Sequence, residues 1–172
     1  EIDFLIGPLR TYLGRHMTFN INIIPLNPEK EEILFENQCI KISSFPLNHR
    51  IETNGFIFEN KESPRHIIRE MIDFHQIPYT LINDIRYGAD FVRQDGEVIS
   101  NNILTTPGRP AKKYAYCSDT AFAPEIVPYI KDVDILYHEA TFAESEQERA
   151  KETYHSTARQ AAEIAKAAEV KK

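Results

Sequence analysis

Residues 113–140 read KYAYCSDTAFAPEIVPYIKDVDILYHEA. An apolar run, Lys113–Cys117, ends in Ser118-Asp119-Thr120. A short helical stretch follows at Pro124–Ile130, and a second apolar run, Val133–Tyr137, ends in His138-Glu139. Strand, helix and strand in alternation predict an α/β layer. In such a layer the loops at the carboxyl ends of the strands carry the chemistry, because the helices open there. Both polar clusters fall at such ends.

Downstream, His155-Ser156-Thr157 precedes a helix predicted over Ala158–Ala168. Thr157 and Gln160 have capping-box spacing, which makes Thr157 the N-cap. Ala158, Ala161, Ala162, Ala165 and Ala168 form a small-residue stripe that allows close packing. Upstream, Ile2, Leu5, Ile6, Leu9 and Leu13 recur at helical spacing and Gly14 stops that helix. Met17–Pro25 alternates as a strand with one wet face. Further strands are expected near Glu32–Phe35, Cys39–Phe45 and Gly55–Glu59, so the first third reads as a helix and then an antiparallel meander. A helix is expected over 64–75, with Pro64 in its first turn, and another over Leu81–Val92. A turn at Gln94-Asp95-Gly96 and a Pro/Gly-rich loop over 106–110 follow.

The 172 residues suffice for one domain with a core, and 42% hydrophobic and 27% charged residues are ordinary for a soluble globular chain. No apolar run reaches membrane-span length. Residues 1–10 do not read as a signal peptide. Cys39 and Cys117 have no Cys-x-x-Cys spacing and read as two reduced, mostly buried thiols, which fits a cytoplasmic protein. The net charge of −6 argues mildly against a nucleic-acid partner without excluding one. Phosphates can be gripped by a metal site and a few local cations.

Each candidate group has two explanations. Asp119 is a metal-bridging carboxylate or an Asx-turn or cap residue, and alone the turn reading is stronger. His49, in Phe45-Pro-Leu-Asn-His-Arg50, is a neutral imidazole ligand or a solvated loop histidine. Adjacent His138 and Glu139 point apart if the strand continues. Glu139 then orients another imidazole and His138 belongs to the core, or the two form a satisfied strand end. His155 lies at the positive end of a helix dipole, which favours proton donation, while a carboxylate such as Glu139 would hold the ring. That balance suits a general acid; the alternative is a residue that merely precedes a cap. His16, His66 and His75 form no metal signature.

Taken in order, Phe-Pro-Leu-Asn-His-Arg, Tyr-Cys-Ser-Asp-Thr, His-Glu-Ala-Thr-Phe and His-Ser-Thr-Ala-Arg-Gln-Ala-Ala resemble ribonuclease Z, the tRNA 3′-processing endonuclease family of the metallo-β-lactamase superfamily. The resemblance runs from Ile2 to Val170. It implies a metallo-β-lactamase αββα sandwich, of which residues 1–172 are a partial domain, the central and second-half portion. It implies His49 and Asp119 as metal ligands, Asp119 bridging two Zn2+ ions. It implies His155 as proton donor to the leaving 3′ oxygen and Glu139 as its support. The reaction implied is zinc-dependent hydrolysis of one phosphodiester of precursor tRNA by a cytoplasmic homodimer. The family's His-x-His-x-Asp-His motif and its late histidine ligand are absent from this sequence. The resemblance therefore marks an internal fragment, expected to be inactive by itself. Over 61–92, where many members carry a Gly/Pro-rich tRNA-binding arm, this sequence has no Gly-Pro pair and reads as a helix, so the arm is reduced or has another form. Two other expectations stay open: a phosphodiesterase of the same fold acting on small molecules, and a non-catalytic binding fragment.

Overall fold

The computed structural model describes residues 7, 8, 11 and 22–172. The helix expected over 2–14, with its stop at Gly14, lies outside the described residues except at 7, 8 and 11. The strand expected over Met17–Pro25 is described only over 22–25, where the chain is irregular.

The molecule is mixed α/β, built on a five-stranded sheet. Its strands are β1 (Glu32–Glu36), β2 (Ile40–Leu47), β3 (Thr53–Asn60), β8 (Lys112–Cys117) and β9 (Ile135–His138), in that spatial order. The first four pair antiparallel and β8–β9 pair parallel. The parallel pair follows from the strand–helix–strand pattern, because the chain between them crosses back over one face. That crossover contains a 3-10 turn at Pro124–Ile126, shorter than the helix expected over Pro124–Ile130.

Cross-strand partners share a face, so the register sorts the side chains into two layers. Phe45, Ile57, Ala115 and Cys117 face a core completed by Ile126, Ile130, Val133, Ile164 and Ala168. Gly55 permits this packing, because a Cβ there would overlap the Phe45 ring. The opposite face carries a row across all five strands: Phe35, Ile42, Phe58, Tyr114 and Ile135. Phe35 is 50% exposed and Ile135 49%. Beside them Tyr116 stacks on Tyr137 at 4.8 Å. No described element covers this apolar face.

Between β3 and β8 the chain forms a small unit with its own core of Ile77, Ile85, Phe91, Ile99 and Leu104. The helix expected over 64–75 is shorter than the pattern predicts. His66–Ile67 forms β4, which pairs with β7 (Thr105–Thr106), and α1 runs over Arg69–His75. The distant pairing Ile67↔Thr105 and the Ile68 N–H donation to Leu104 O fix extended backbone where local propensity favours helix. The helix expected over Leu81–Val92 divides likewise. A 3-10 turn (Tyr79–Leu81) leads into α2 (Ile82–Arg86), and Phe91–Val92 becomes β5, paired with β6 (Val98–Ile99). The turn between β5 and β6 falls at Gln94-Asp95-Gly96, with Gly96 at φ 89°. Helix α3 (Asn101–Leu104) follows, and Asn101 is buried at the centre of the unit. Its Nδ2 donates to Ile85 O at 2.6 Å and Ala89 O at 2.8 Å.

Two helices close the chain: α4 (Gln147–Glu152) and α5 (Ala158–Ala167). The capping box at Thr157 and Gln160 is present in both directions, and Ile164 anchors α5 in the core. Among the described residues no helix is long and apolar enough to cross a membrane.

Candidate functional site

β2, β8 and β9 all end at the same edge of the sheet, and the loop leaving each carries one polar group of interest. The loops are tied directly. Asn48 N–H donates to Thr120 Oγ1 at 3.1 Å, and Ala121 N–H donates to Asn48 O at 2.7 Å. Glu139 N–H donates to Cys117 O at 3.1 Å, continuing the β8–β9 pairing by one residue. These bonds set His49 beside Asp119.

The fixed point is the Glu139 carboxylate, in a residue only 6% exposed. Its Oε1 accepts from Thr120 N–H at 3.2 Å and Ser156 N–H at 2.9 Å. Its Oε2 accepts from the Thr141 N–H and hydroxyl, both at 2.8 Å. Burial pushes this carboxyl up. The donors from Thr141, Thr120 and Ser156 outweigh it and hold the group below its ordinary range, so it is ionised at neutral pH. His155 Nδ1 lies 3.0 Å from Glu139 Oε1. An ionised carboxylate can only accept, so Nδ1 carries the proton and Nε2 is left for other chemistry.

Two further features fix His155. Its ring meets Phe142 edge-on at 6.0 Å. The next residue, Ser156, donates its hydroxyl to Thr120 O at 2.8 Å. His49 lies across from it, with ring centroids 5.4 Å apart. The ligand atoms of His49, Asp119 and His155 all lie within 4.8 Å of one another. Two imidazoles and a carboxylate are a donor set that zinc accepts, and three protein ligands with open positions is the arrangement of catalytic zinc sites. Among the described residues this is the one group of three or more such donors.

The four residues singled out in the sequence, His49, Asp119, Glu139 and His155, are thus brought together. His138 is set apart: its Nδ1 donates to Glu139 O at 2.7 Å. His66 and His75 lie in the small unit between β3 and β8. Sequence reasoning missed Thr120, Thr141 and Ser156, which hold Glu139. Their signal was a hydroxyl in each polar motif: Ser-Asp-Thr, Glu-Ala-Thr and His-Ser-Thr.

No family model matches the chain. In whole-chain comparison it is 47% identical over 170 residues to a ribonuclease Z of Bacteroides thetaiotaomicron, covering 99% of this chain and 54% of that protein. It is 48% identical over 172 residues to one from Parabacteroides distasonis, covering 100% and 57%. For one from Porphyromonas gingivalis the identity is 43% over 171 residues, covering 99% and 56%. Among solved structures, human tRNase Z, short form, aligns with a TM-score of 0.49 at 21% identity, covering 83% of this chain and 38% of that one. The chain spans about half the length of the curated relatives it matches. Over nearly all of its own length, this sequence is therefore similar to ribonuclease Z.

Proposed function

We propose that the complete protein carrying this chain is a zinc-dependent endoribonuclease that removes the 3′ trailer from precursor tRNA. The observation that carries this reading is the convergence of His49, Asp119 and Glu139, from three loops at one sheet edge, with His155 from the junction of α4 and α5. The names of the relatives, ribonuclease Z, supply the reaction class.

In this reading His49 and Asp119 would hold zinc, and the two oxygens of the Asp119 carboxylate would allow it to bridge two ions, as the resemblance implies. Bound zinc supplies Lewis-acid stabilisation of charge on the phosphoryl oxygens. The chain's own residues do the rest. Glu139 fixes the His155 ring through Nδ1–H; with a second proton on Nε2, the ring gives that proton to the leaving 3′ oxygen as water bonds to phosphorus and the P–O3′ bond breaks. The tRNA then departs with a 3′ hydroxyl rather than an alkoxide. With His155 kept for the proton, the described residues supply His49 and Asp119 as ligands, and two protein ligands do not make a dinuclear zinc site, so the activity is proposed for the complete protein.

The exposed apolar face supports a finer fold reading. A sheet carrying Phe35, Phe58, Ile135 and Tyr137 on its outer surface has room for a second sheet there, which supports reading this chain as the central and second-half part of a metallo-β-lactamase αββα sandwich. The small unit that begins at residue 61, including 61–92, is the segment we assign to gripping tRNA away from the cut. A cytoplasmic homodimer is the form implied by the resemblance.

The test is cleavage by the complete protein. Labelled precursor tRNA should be cut once on the 3′ side of the acceptor stem, and chelation should abolish the cut. Failure to cut any precursor tRNA, with zinc-dependent turnover of bis(p-nitrophenyl) phosphate retained, would instead favour a small-molecule phosphodiesterase.

A further inference from the structure

Helix α4 ends in a way that places two side chains at once. Tyr154 N–H donates to Lys151 O at 3.3 Å and His155 N–H donates to Ala150 O at 2.8 Å. These are the paired bonds of a Schellman ending, which requires its C′ residue in the left-handed region. That residue is Tyr154, at φ 60°. Glycine takes this conformation without strain, whereas a tyrosine holds it at a cost. A side chain kept at such a position points to a use for it.

Its surroundings say what the use is. Tyr154 lines a cleft of about 830 Å³ together with Asn48, Phe122, Lys151, His155 and Gln160. Phe122 is 37% exposed and Tyr154 41%, so the cleft offers two aromatic surfaces. The Tyr154 ring also meets His49 edge-on at 6.4 Å, at the boundary between the cleft and the His49–Asp119–His155 cluster. The rim carries Glu148 and Glu152 against the single Lys151. A net negative rim disfavours a phosphate and accepts an uncharged aromatic heterocycle. The amide groups of Asn48 and Gln160 suit the polar edge of such a ring.

We propose that this cleft binds the nucleobase adjoining the cleaved phosphodiester, with Tyr154 as its stacking platform; the proposal rests on the nuclease reading above. Stacking of a base on an aromatic side chain is sequence-tolerant, because every base has a π-face. The αL backbone turns Tyr154 toward the cleft while the same Schellman bonds aim His155 at the cluster. Base capture and proton donation are thereby fixed by one helix end.

The experiment uses the complete protein with precursor tRNA, comparing Tyr154→Gly and Tyr154→Phe. Glycine suits the αL position, so the unfolding midpoint of Tyr154→Gly should be no lower than that of the unsubstituted protein. Tyr154→Phe should behave as the unsubstituted protein. Tyr154→Gly should raise KM by about 5- to 150-fold, the equivalent of about 1–3 kcal/mol of stacking, with kcat far less affected. A 2-aminopurine placed next to the cleaved bond should be quenched on binding to the unsubstituted protein and to Tyr154→Phe, and not to Tyr154→Gly. Unchanged KM in Tyr154→Gly, or a fall in kcat alone, would overturn the proposal while leaving the nuclease reading intact. If the unsubstituted protein cuts no RNA, both fall together.

Discussion

Glu139→Gln is the substitution that reports most on how the site is held. The carboxylate receives five donors: Thr120 N–H, Ser156 N–H, Thr141 N–H, the Thr141 hydroxyl and His155 Nδ1. Glutamine keeps one acceptor oxygen and replaces the other with a donor. The better orientation keeps oxygen toward Thr120, Ser156 and His155 and turns the NH2 toward Thr141. The Thr141 hydroxyl can rotate to accept, but its N–H loses its partner. Thr141 is exposed, so its freed N–H is partly hydrated and costs about 1 kcal/mol, the low end for an unpaired donor. The surviving bonds lose the assistance of a charge, roughly another 1 kcal/mol together. The expected destabilisation is about 2 kcal/mol, a drop of about 1 M in urea midpoint for a slope near 2 kcal/mol per M. The pH dependence follows from the depressed carboxyl. Its contribution is complete above the ordinary value of 4.5 and is lost as pH falls through the lower folded value. The gap between Glu139→Gln and the unsubstituted protein should therefore be full at pH 7 and shrink on acidification below about 4.5. Equal midpoints at pH 7, or a gap that stays constant down to pH 3, would refute the reasoning.

Three further outcomes are expected. Cys117 is fully buried, which pushes its thiol up to about 12, while Cys39 is exposed. A thiol reagent at pH 8 should therefore titrate one equivalent quickly in the folded protein and two after denaturation. Gly55→Ala drives a methyl into the Phe45 ring and should cost about 1–3 kcal/mol by thermal or urea unfolding. Asn101→Leu leaves the carbonyls of Ile85 and Ala89 without their donor inside the small unit. It should lower unfolding stability by about 2–4 kcal/mol and speed hydrogen exchange in residues 61–111 before the main sheet.

What could be read from the sequence follows from how far apart the determining residues lie. β1, β2 and β3 declare themselves through local alternation, and their observed bounds agree with expectation within about two residues. Helix α5 shows its start because Thr157 and Gln160 are only three residues apart. The segment over 64–92 holds shorter helices than its periodicity predicts, because its extended pieces are set by partners at Thr105 and at Val98–Ile99, which periodicity does not see. Helix α4 went unexpected because it is six residues long, polar, and buries only Ala150. The site divides in the same way. Its four side chains stand out as motifs at strand ends, but His49 and Asp119 are 70 positions apart in sequence. Their meeting depends on the β2–β3–β8 register and on the Asn48–Thr120 and Asn48–Ala121 bonds. The role of Tyr154 was hidden because its signal is a backbone dihedral.

The central claim is that His155, held by Glu139, protonates the leaving 3′ oxygen. The most direct measurement replaces that oxygen with sulfur at the cleaved bond of a precursor tRNA and compares the complete protein with its His155→Ala variant. A thiolate leaves without help from an acid. The account predicts that His155→Ala slows cleavage of the oxygen substrate by about 10²–10⁴-fold and cleavage of the sulfur substrate hardly at all. An equal loss on both substrates would contradict it and return His155 to the role of a metal ligand.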